Sequence, residues 1–187
     1  MRLFVALDLP KAVRGALGEL TAKLKPKSQV ARWVHLESMH VTLKFLGHSP
    51  PEKLNSIRDA LRSIHSSRAI DLHFRGLGFF PDERRPSVIW SGIEASPNLP
   101  EIVAAIETAV EPLGFERESR PYFPHLTLAR FNSGSGAKNL IAVAETMKSY
   151  DFGSARESEF HLFESVTKPS GAEYTRLATF WFVKGSK

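Results

Sequence analysis

The sequence predicts an α+β fold in which two similar lobes of antiparallel sheet, each covered outside by helices, share a central groove. Three observations lead to this fold class. Apolar residues alternate over short segments and recur every three or four residues over longer ones, which indicates strands mixed with helices. The order helix, strand, helix, strand, strand occurs twice. A His-x-Thr-Leu sequence stands in the central strand of each half.

The first half begins with an apolar segment, Leu3 to Leu9, that predicts a buried strand, and Pro10 suits the first turn of a helix. That helix has apolar residues at spacings of three and four: Val13, Leu17, Leu20 and Leu24. Residues 39–46 alternate as in a strand. After Pro50-Pro51 a second helix has its own apolar stripe: Leu54, Ile57, Leu61 and Ile64. Two strands are then expected, at 70–75 and 88–93.

The second half repeats this order. Its first helix has an apolar stripe that stops at Gly114: Leu99, Ile102, Ile106, Val110 and Leu113. A strand at 125–131 and a flexible loop at 132–136 follow. The last predicted elements are a helix around Leu140 to Met147 and strands around 156–164 and 174–183, separated by a loop containing Pro169 and Gly171.

These matching halves indicate an internal duplication within one bilobal domain, residues 1–187. The predicted lobe-repeat units are 10–95 and 98–183, and strand 2–8 is expected to complete the opposite lobe. With only two copies of so long a unit, a solenoid is excluded.

Composition excludes several classes of protein. The chain has 187 residues and no cysteine, which rules out disulfide scaffolds, thiol enzymes and iron–sulfur proteins. Its formal net charge of +5 mildly favours an anionic partner. The apolar run at the start is too short for a signal peptide, and no stretch approaches a membrane span. We therefore expect a cytoplasmic protein without a membrane partner.

The two copies of the repeated motif begin at His40 and His125. On a strand, alternate side chains share a face, so His40 and Thr42 point together, as do His125 and Thr127. The positions between them are apolar and are expected to face the core: Val41, Leu43 and Phe45 in the first copy, Leu126 and Leu128 in the second. One such motif is more often structural, but two in matching places of a duplicated unit favour a shared site.

Two imidazoles and two hydroxyls suit phosphoryl chemistry. Histidine titrates near neutral pH, so a neutral imidazole can take a proton from water while a protonated one donates to a leaving oxygen. Hydroxyl donors can hold the non-bridging phosphoryl oxygens. Such a mechanism requires no metal, and the sequence has no histidine or carboxylate spacing typical of a metal site. Spacing alone does not tell which histidine is acid and which is base.

The segments Met39–Gly47 and Pro124–Arg130 resemble the paired HxTx motifs of the 2H phosphoesterase superfamily. More narrowly, they resemble the RNA 2′,3′-cyclic phosphodiesterase group, also called the 2′–5′ RNA ligase family. The resemblance implies the 2H phosphoesterase fold, no cofactor, and hydrolysis of RNA 2′,3′-cyclic phosphate ends, or of cyclic nucleotides, to 2′-phosphomonoesters. It implies these roles: His40 as proton donor, His125 as proton acceptor, and Thr42, Thr127 and Arg130 as phosphate-binding residues.

Other interpretations stay open beside this one. One alternative is an RNA-end binding module, in which the groove binds a terminal phosphate without catalysis. Another is a different 2H reaction, either 2′–5′ RNA ligation or hydrolysis of a small cyclic nucleotide. Strict alternation predicts that Arg130 points away from His125. The alternative to phosphate binding is therefore that Arg130 forms an ion pair at the surface. Lys44 either lines the groove or is a solvated lysine at a strand end. A single chain supplies both motifs, so we expect a monomer.

Residues outside the motifs have structural explanations as well as functional ones. Four other histidines are expected to be exposed or structural: His35, His65, His73 and His161. Phe79, Phe80 and the Arg84-Arg85 loop either flank RNA or form a core pair beside a solvated turn. Phe163 and Tyr174 are open to the same two interpretations.

Overall fold

The computed structural model describes residues 1–28, 30–131, 137–168 and 171–183. The strands are β1 (Arg2–Leu7), β2 (Arg32–Trp33), β3 (Val41–His48), β4 (Ile70–Phe80), β5 (Val88–Ala95), β6 (His125–Arg130), β7 (Asp151–Glu157), β8 (Glu159–Lys168) and β9 (Gly171–Trp181). The α-helices are α1 (Lys11–Leu24), α2 (Leu54–Arg62), α3 (Asn98–Val110) and α4 (Lys138–Thr146).

The strands form two sheets, which confirms the predicted α+β class. The first has the order β3-β1-β8-β9 and the second the order β2-β6-β5-β4-β7. Neighbouring strands in both sheets are antiparallel. The strand of the first motif, β3, is therefore in one sheet, and the strand of the second, β6, is in the other.

Each sheet combines strands from both halves of the chain, so neither corresponds to one unit of 10–95 or 98–183. β4 and β5 of the first half join β6 and β7, while β8 and β9 of the second half join β3. The opening strand β1 lies between β3 and β8. Each sheet therefore depends on hydrogen bonds between strands from the two halves of the sequence.

The helices pack against the sheets through the apolar stripes that the sequence predicts. α1 contacts β7 and α4 contacts β4, so both cover the second sheet, while α2 contacts β9 and α3 contacts β3 of the first sheet. The stripe of α1 is buried throughout: Val13, Leu17, Leu20 and Leu24. Gly114, which ends the turn after α3, has a φ of 88°, a conformation that glycine adopts at little cost.

Two strands lie where the sequence analysis expects none. β7 has only two apolar inward residues, Phe152 and Ala155, and its polar remainder hides the strand pattern. β7 forms a strand because it pairs with the long β4, although its own sequence shows no strand pattern. β2 is only two residues long and pairs with β6. The predicted loop 132–136 and Pro169 lie outside the described residues, and Gly171 is the first residue of β9.

Candidate active site

His40 and His125 have the same local hydrogen bond. The His40 Nδ1 lies 2.8 Å from the carbonyl oxygen of Ser38, and the His125 Nδ1 lies 2.8 Å from that of Phe123. Each partner is two residues upstream of its histidine. A carbonyl oxygen only accepts, so Nδ1 carries the hydrogen in both rings. Nε2 is therefore the nitrogen left for proton transfer in each imidazole.

Alternation along β3 and β6 buries one side of each motif and leaves the histidine side half-buried. Thr42 and Thr127 are half-buried, as are both histidines. Four of the five side chains predicted to face the core are buried: Val41, Leu43, Leu126 and Leu128. The exception is Phe45, whose ring is 52% exposed.

A β-bulge in β3 explains why Phe45 is exposed. Val5 of β1 is opposite Lys44, and Ala6 is opposite Thr42, so Leu43 is an extra residue in the ladder. A bulge breaks strict alternation by one position. Leu43 and Lys44 consequently both point inward, and Phe45 returns to the face of Thr42. The prediction that Phe45 faces the core is wrong for this reason.

The predicted environments of Lys44 are wrong too, because Lys44 neither lines the groove nor meets solvent. Its side chain is 2% exposed, and its Nζ lies 2.8 Å from Oε2 of Glu107 on α3. The ammonium also donates to the carbonyl oxygen of Glu116 at 2.5 Å. Lys44 thus ties β3 to α3 and to the chain segment that leads to the second motif.

A second bulge lies at the matching position of β6 and determines where Arg130 points. Ile89 of β5 is opposite Ala129 and Trp90 is opposite Thr127, which leaves Leu128 as the extra residue. Arg130 is exposed and stands on the face of Thr127. Strict alternation predicts that Arg130 points away from His125, and the bulge reverses that orientation.

Arg130 acts on both histidines. Its positive charge lowers the pKa of His40 as well as that of His125, so the guanidinium lies within electrostatic reach of both rings. β3 and β6 are also in contact. Arg130 thus lies near both histidines, and we use the name groove for the faces of β3 and β6 that carry the five predicted site residues: His40, Thr42, His125, Thr127 and Arg130.

Tyr122 links the two motifs through a hydrogen bond that the sequence analysis misses. Its hydroxyl donates to the main-chain carbonyl of Thr42 at 3.0 Å. Tyr122 is three residues upstream of His125, so the bond joins the approach to the second motif directly to the strand of the first. The nearby proline and aromatic residues gave no pattern from which this contact could be predicted.

Aromatic rings surround His40. Its imidazole lies 4.6 Å from the ring of Phe4, centroid to centroid, and meets the ring of Tyr174 edge-on at 5.0 Å. Phe163 stacks on Phe4 at 5.2 Å. Phe163 and Tyr174, for which the sequence left two interpretations, therefore lie at the histidine.

Aromatic rings also surround His125. Phe80 meets the imidazole edge-on at 4.8 Å, and Phe123 lies 6.4 Å away in a stacked arrangement. Trp90 packs against both of these phenylalanines, at 5.2 Å and 5.3 Å. Only Phe80 of this cluster was singled out from the sequence, because Phe80, Trp90 and Phe123 come from three separate segments and share no pattern.

Burial favours the neutral form of both imidazoles. The pKa of His40 is lowered to about 4, chiefly by burial, although the Ser38 carbonyl and the charge of Asp8 oppose the shift. The pKa of His125 is also lowered, again chiefly by burial. At neutral pH both rings are therefore uncharged in the protein alone, and an anion in the groove would favour protonation.

Of the remaining histidines, His161 has its ring 5.8 Å from that of Phe163, which in turn lies 6.3 Å from the imidazole of His40. His161 is buried, with Nδ1 3.0 Å from the Thr179 hydroxyl. His73 pairs at the surface with Asp151 at 2.8 Å, and His35 and His65 are exposed. Within the described ranges, no three histidine and carboxylate side chains are grouped as a metal site would need. No helix in this part of the chain is long and apolar enough to span a membrane.

Comparison with known proteins gives a consistent result. The profile of the family described as LigT-like phosphoesterase matches the chain twice, at residues 7–90 and 93–174. The chain is 34% identical over 174 residues to a Methanocaldococcus jannaschii protein named RNA 2′,3′-cyclic phosphodiesterase, covering 93% of this chain and 96% of that one.

Solved structures resemble this fold over nearly its whole length. A Thermus thermophilus protein superposes with a TM-score of 0.81 at 30% identity, covering 97% of this chain and 98% of the other. Escherichia coli LigT, solved in complex with 3′-AMP, has a TM-score of 0.80 at 27% identity and covers 98% of both chains.

Proposed function

The chain belongs to the LigT-like phosphoesterase family, and we propose that it hydrolyses RNA 2′,3′-cyclic phosphodiester ends to 2′-phosphomonoesters without a metal ion. The observation that carries the proposal is the paired arrangement of His40 and His125. Both present Nε2 for proton transfer, and both lie within reach of the charge of Arg130. A module that only bound phosphate would need cations rather than two titratable rings.

In the proposed reaction His125 is the proton acceptor. Its neutral Nε2 takes a proton from water as the water oxygen bonds to phosphorus, and its lowered pKa keeps this nitrogen unprotonated at neutral pH. The bond between phosphorus and the 3′ oxygen breaks, and His40 Nε2 donates a proton to that oxygen. One water is consumed, and the products are a 2′-phosphate and a free 3′ hydroxyl.

The donor role of His40 requires the substrate itself. Burial opposes the imidazolium form, so the negative charge of a bound phosphodiester supplies the compensation that favours protonation. Thr42 and Thr127 donate their hydroxyls to the non-bridging oxygens, and Arg130 adds a charged donor as negative charge shifts in the transition state. These donors hold the phosphate between the two imidazoles.

The proposal needs one chain, because both motifs and Arg130 belong to the same molecule. We propose that it acts as a monomer on RNA in the cytoplasm. Neither a nucleotide cofactor nor a partner subunit has a part in the reaction as written.

The deciding experiment incubates the purified protein with an oligonucleotide that ends in a 2′,3′-cyclic phosphate, in the presence of EDTA. We expect ring opening to a 2′-monophosphate, identified against 2′ and 3′ standards by chromatography and mass. His40→Ala and His125→Ala should each lower the rate by about 10²–10⁴-fold. His65→Ala, at an exposed histidine shortly after α2, is the matched control.

Each outcome has a clear meaning. An intact cyclic phosphate in EDTA, or full activity in both groove variants, would reject the proposal. Binding of the cyclic end without turnover would favour the RNA-end binding module. Joining of two RNA ends at a rate above hydrolysis would favour 2′–5′ ligation.

A further inference from the structure

Asp8 comes directly after β1, at the place where β3 follows His40. Leu7 is opposite Val41 in the ladder, so one residue further out Asp8 comes opposite His40. Residues two apart along a strand share a face, so Asp8 shares one with Phe4, whose ring lies 4.6 Å from the imidazole of His40. Asp8 is therefore the cross-strand neighbour of His40 on the face of the first sheet that carries the first motif.

The matching position in the second sheet is a glycine. Gly92 of β5 is opposite His125 of β6, so this neighbour has no side chain and no charge. The two motifs are nearly identical, and both imidazoles have the same hydrogen bond to the main chain. The cross-strand neighbour therefore distinguishes two histidines that are alike in these local features.

Three donors hold the carboxylate of Asp8. Its Oδ1 accepts hydrogen bonds from the main-chain N–H of Leu9 at 2.9 Å and from Nη2 of Arg14 on α1 at 2.8 Å. Its Oδ2 accepts from Nη2 of Arg176 on β9 at 2.5 Å. Donors of this kind stabilise the ionised form and fix its position, so Asp8 places a negative charge beside His40.

A fixed negative charge next to an imidazole favours the protonated form of that ring. We propose that Asp8 is the positioning residue that supplies this charge to His40 and makes this histidine, rather than His125, the proton donor. This role rests on the proposed function, since it takes the two rings as the acid and the base. Asp8 then provides a physical cause for the donor role that does not depend on family resemblance.

The other charges around His40 act more weakly than Asp8. Burial lowers the pKa of His40 to about 4, and Asp8 raises that pKa by more than Arg130 or Arg14 lowers it. The side chain of Asp8 is 39% exposed, so solvent screens part of its charge. We therefore expect a moderate effect of Asp8 on the reaction rate, not an absolute requirement for it.

Other titratable groups face Asp8 and His40 from neighbouring strands. Burial lowers the pKa of His161 on β8, and Asp8 opposes that shift. Burial raises the pKa of Glu157 on β7, and Asp8 adds to that shift. Tyr174 on β9 meets His40 edge-on, and burial raises the pKa of its hydroxyl, so it is neutral at pH 7. Because a change at Asp8 acts on several groups, the titration of His40 has to be followed separately.

The test measures the imidazoles first and the rate second. We expect Asp8→Asn to lower the pKa of His40 in NMR titration of the free protein and to leave that of His125 nearly unchanged. With adenosine 2′,3′-cyclic phosphate, the alkaline limb of the pH profile of kcat should shift to lower pH, since this limb reports the proton donor. On that limb kcat should fall by about tenfold, the change in protonated fraction that one pKa unit makes. The loss should narrow as the pH is lowered.

Two further variants separate charge from structure. Arg14→Gln breaks the same ion pair from α1 but removes a cation, so it should raise the pKa of His40. If the pair were only structural, Asp8→Asn and Arg14→Gln would act alike. Asp71→Asn is the matched control, because Asp71 is an exposed aspartate paired with Arg156 in the second sheet.

An unchanged or raised pKa of His40 in Asp8→Asn would overturn the role of Asp8. The same fractional loss of kcat at every pH would overturn it as well, since it would indicate a structural role. If Asp8→Asn does not fold, the titration of Arg14→Gln decides: a raised pKa of His40 supports the role, and an unchanged or lowered one overturns it. If the unmodified protein leaves the cyclic phosphate intact, the proposed function fails instead, and the titration of His40 still decides whether Asp8 acts on this ring.

Discussion

The hydroxyl of Tyr122, in the segment before β6, donates a hydrogen bond to the carbonyl oxygen of Thr42 in β3 at 3.0 Å. Its partner is the main chain of one motif, and Tyr122 itself lies three residues before the histidine of the other. The bond thus joins the strand of the first motif directly to the segment that leads into the second.

We expect Tyr122→Phe to lower kcat several-fold with little change in KM. The variant keeps the ring but leaves the Thr42 carbonyl without its donor, which costs about 1–3 kcal/mol when the group is buried. Steady-state kinetics and thermal unfolding, with exposed Tyr150→Phe as the control, measure the effect. A fall in stability with unchanged kcat would show that the bond does not position the motifs.

Arg130→Gln is expected to raise the pKa of both His40 and His125. The guanidinium now lowers both values, so removing its charge makes each imidazolium easier to form. The same variant should lower kcat/KM by about tenfold or more, because a charge-assisted donor to the phosphate is lost. Histidine titration by NMR measures the first effect, with exposed Arg62→Gln as the matched control. Unchanged pKa values for both rings would place Arg130 outside the groove.

Breaking the buried pair of Lys44 and Glu107 should lower the free energy of unfolding strongly, whereas replacing both residues by apolar ones should lower it little. Lys44→Met leaves the Glu107 carboxylate, whose side chain is 10% exposed, without its cation, at a cost of about 3–5 kcal/mol. The double variant Lys44→Met with Glu107→Leu should recover most of that loss, because no unpaired charge remains.

Denaturant unfolding at pH 7 provides the comparison. Arg62→Ala breaks the exposed pair with Asp59 and is expected to cost about 1 kcal/mol or less. Equal losses in the single and double Lys44 variants would mean that packing, not the unpaired charge, is what the substitution disturbs.

Stability should fall as the pH drops from about 6.5 to 4. The pKa of His161 is lowered to about 4 in the folded protein, mainly by burial, so the unfolded chain binds more protons in this window. Protonation therefore favours unfolding, by on the order of 3 kcal/mol for a fully buried ring. His161→Gln should make the curve of unfolding free energy against pH flatter. An equally steep curve in the variant would assign the slope to other groups, such as His40.

Glu157 is expected to act in the other direction. Burial and the charges of Asp8 and Glu159 raise its pKa to about 7, so the folded state binds the extra proton between pH 4.5 and 7. Its contribution to stability therefore falls as the pH rises through that window. Glu157→Gln should have a higher Tm than the unmodified protein at pH 8 and a similar Tm at pH 4. A lower Tm at pH 8 would show that the carboxylate has a favourable partner.

The sequence by itself determined where the two motifs lie and most of the helices and strands around them. Two His-x-Thr motifs in matching places predicted paired imidazoles and hydroxyls, since alternation on a strand is a local property. The apolar stripes of the helices could also be predicted from the sequence, and α1 buries the residues that its spacing predicts. The resemblance of both motifs to a known family gave the family that the comparisons found.

Only the tertiary structure decided what surrounds those motifs. Whether Phe45, Lys44 and Arg130 face the groove or the core depends on bulges in β3 and β6, and a bulge is visible only in the pairing of two strands. The strand order likewise interlaces the two halves, because hydrogen bonding between distant segments, not their periodicity, selects neighbours. Local pattern fixes which way a side chain points relative to its neighbour along the chain, whereas contacts between distant segments fix what it meets.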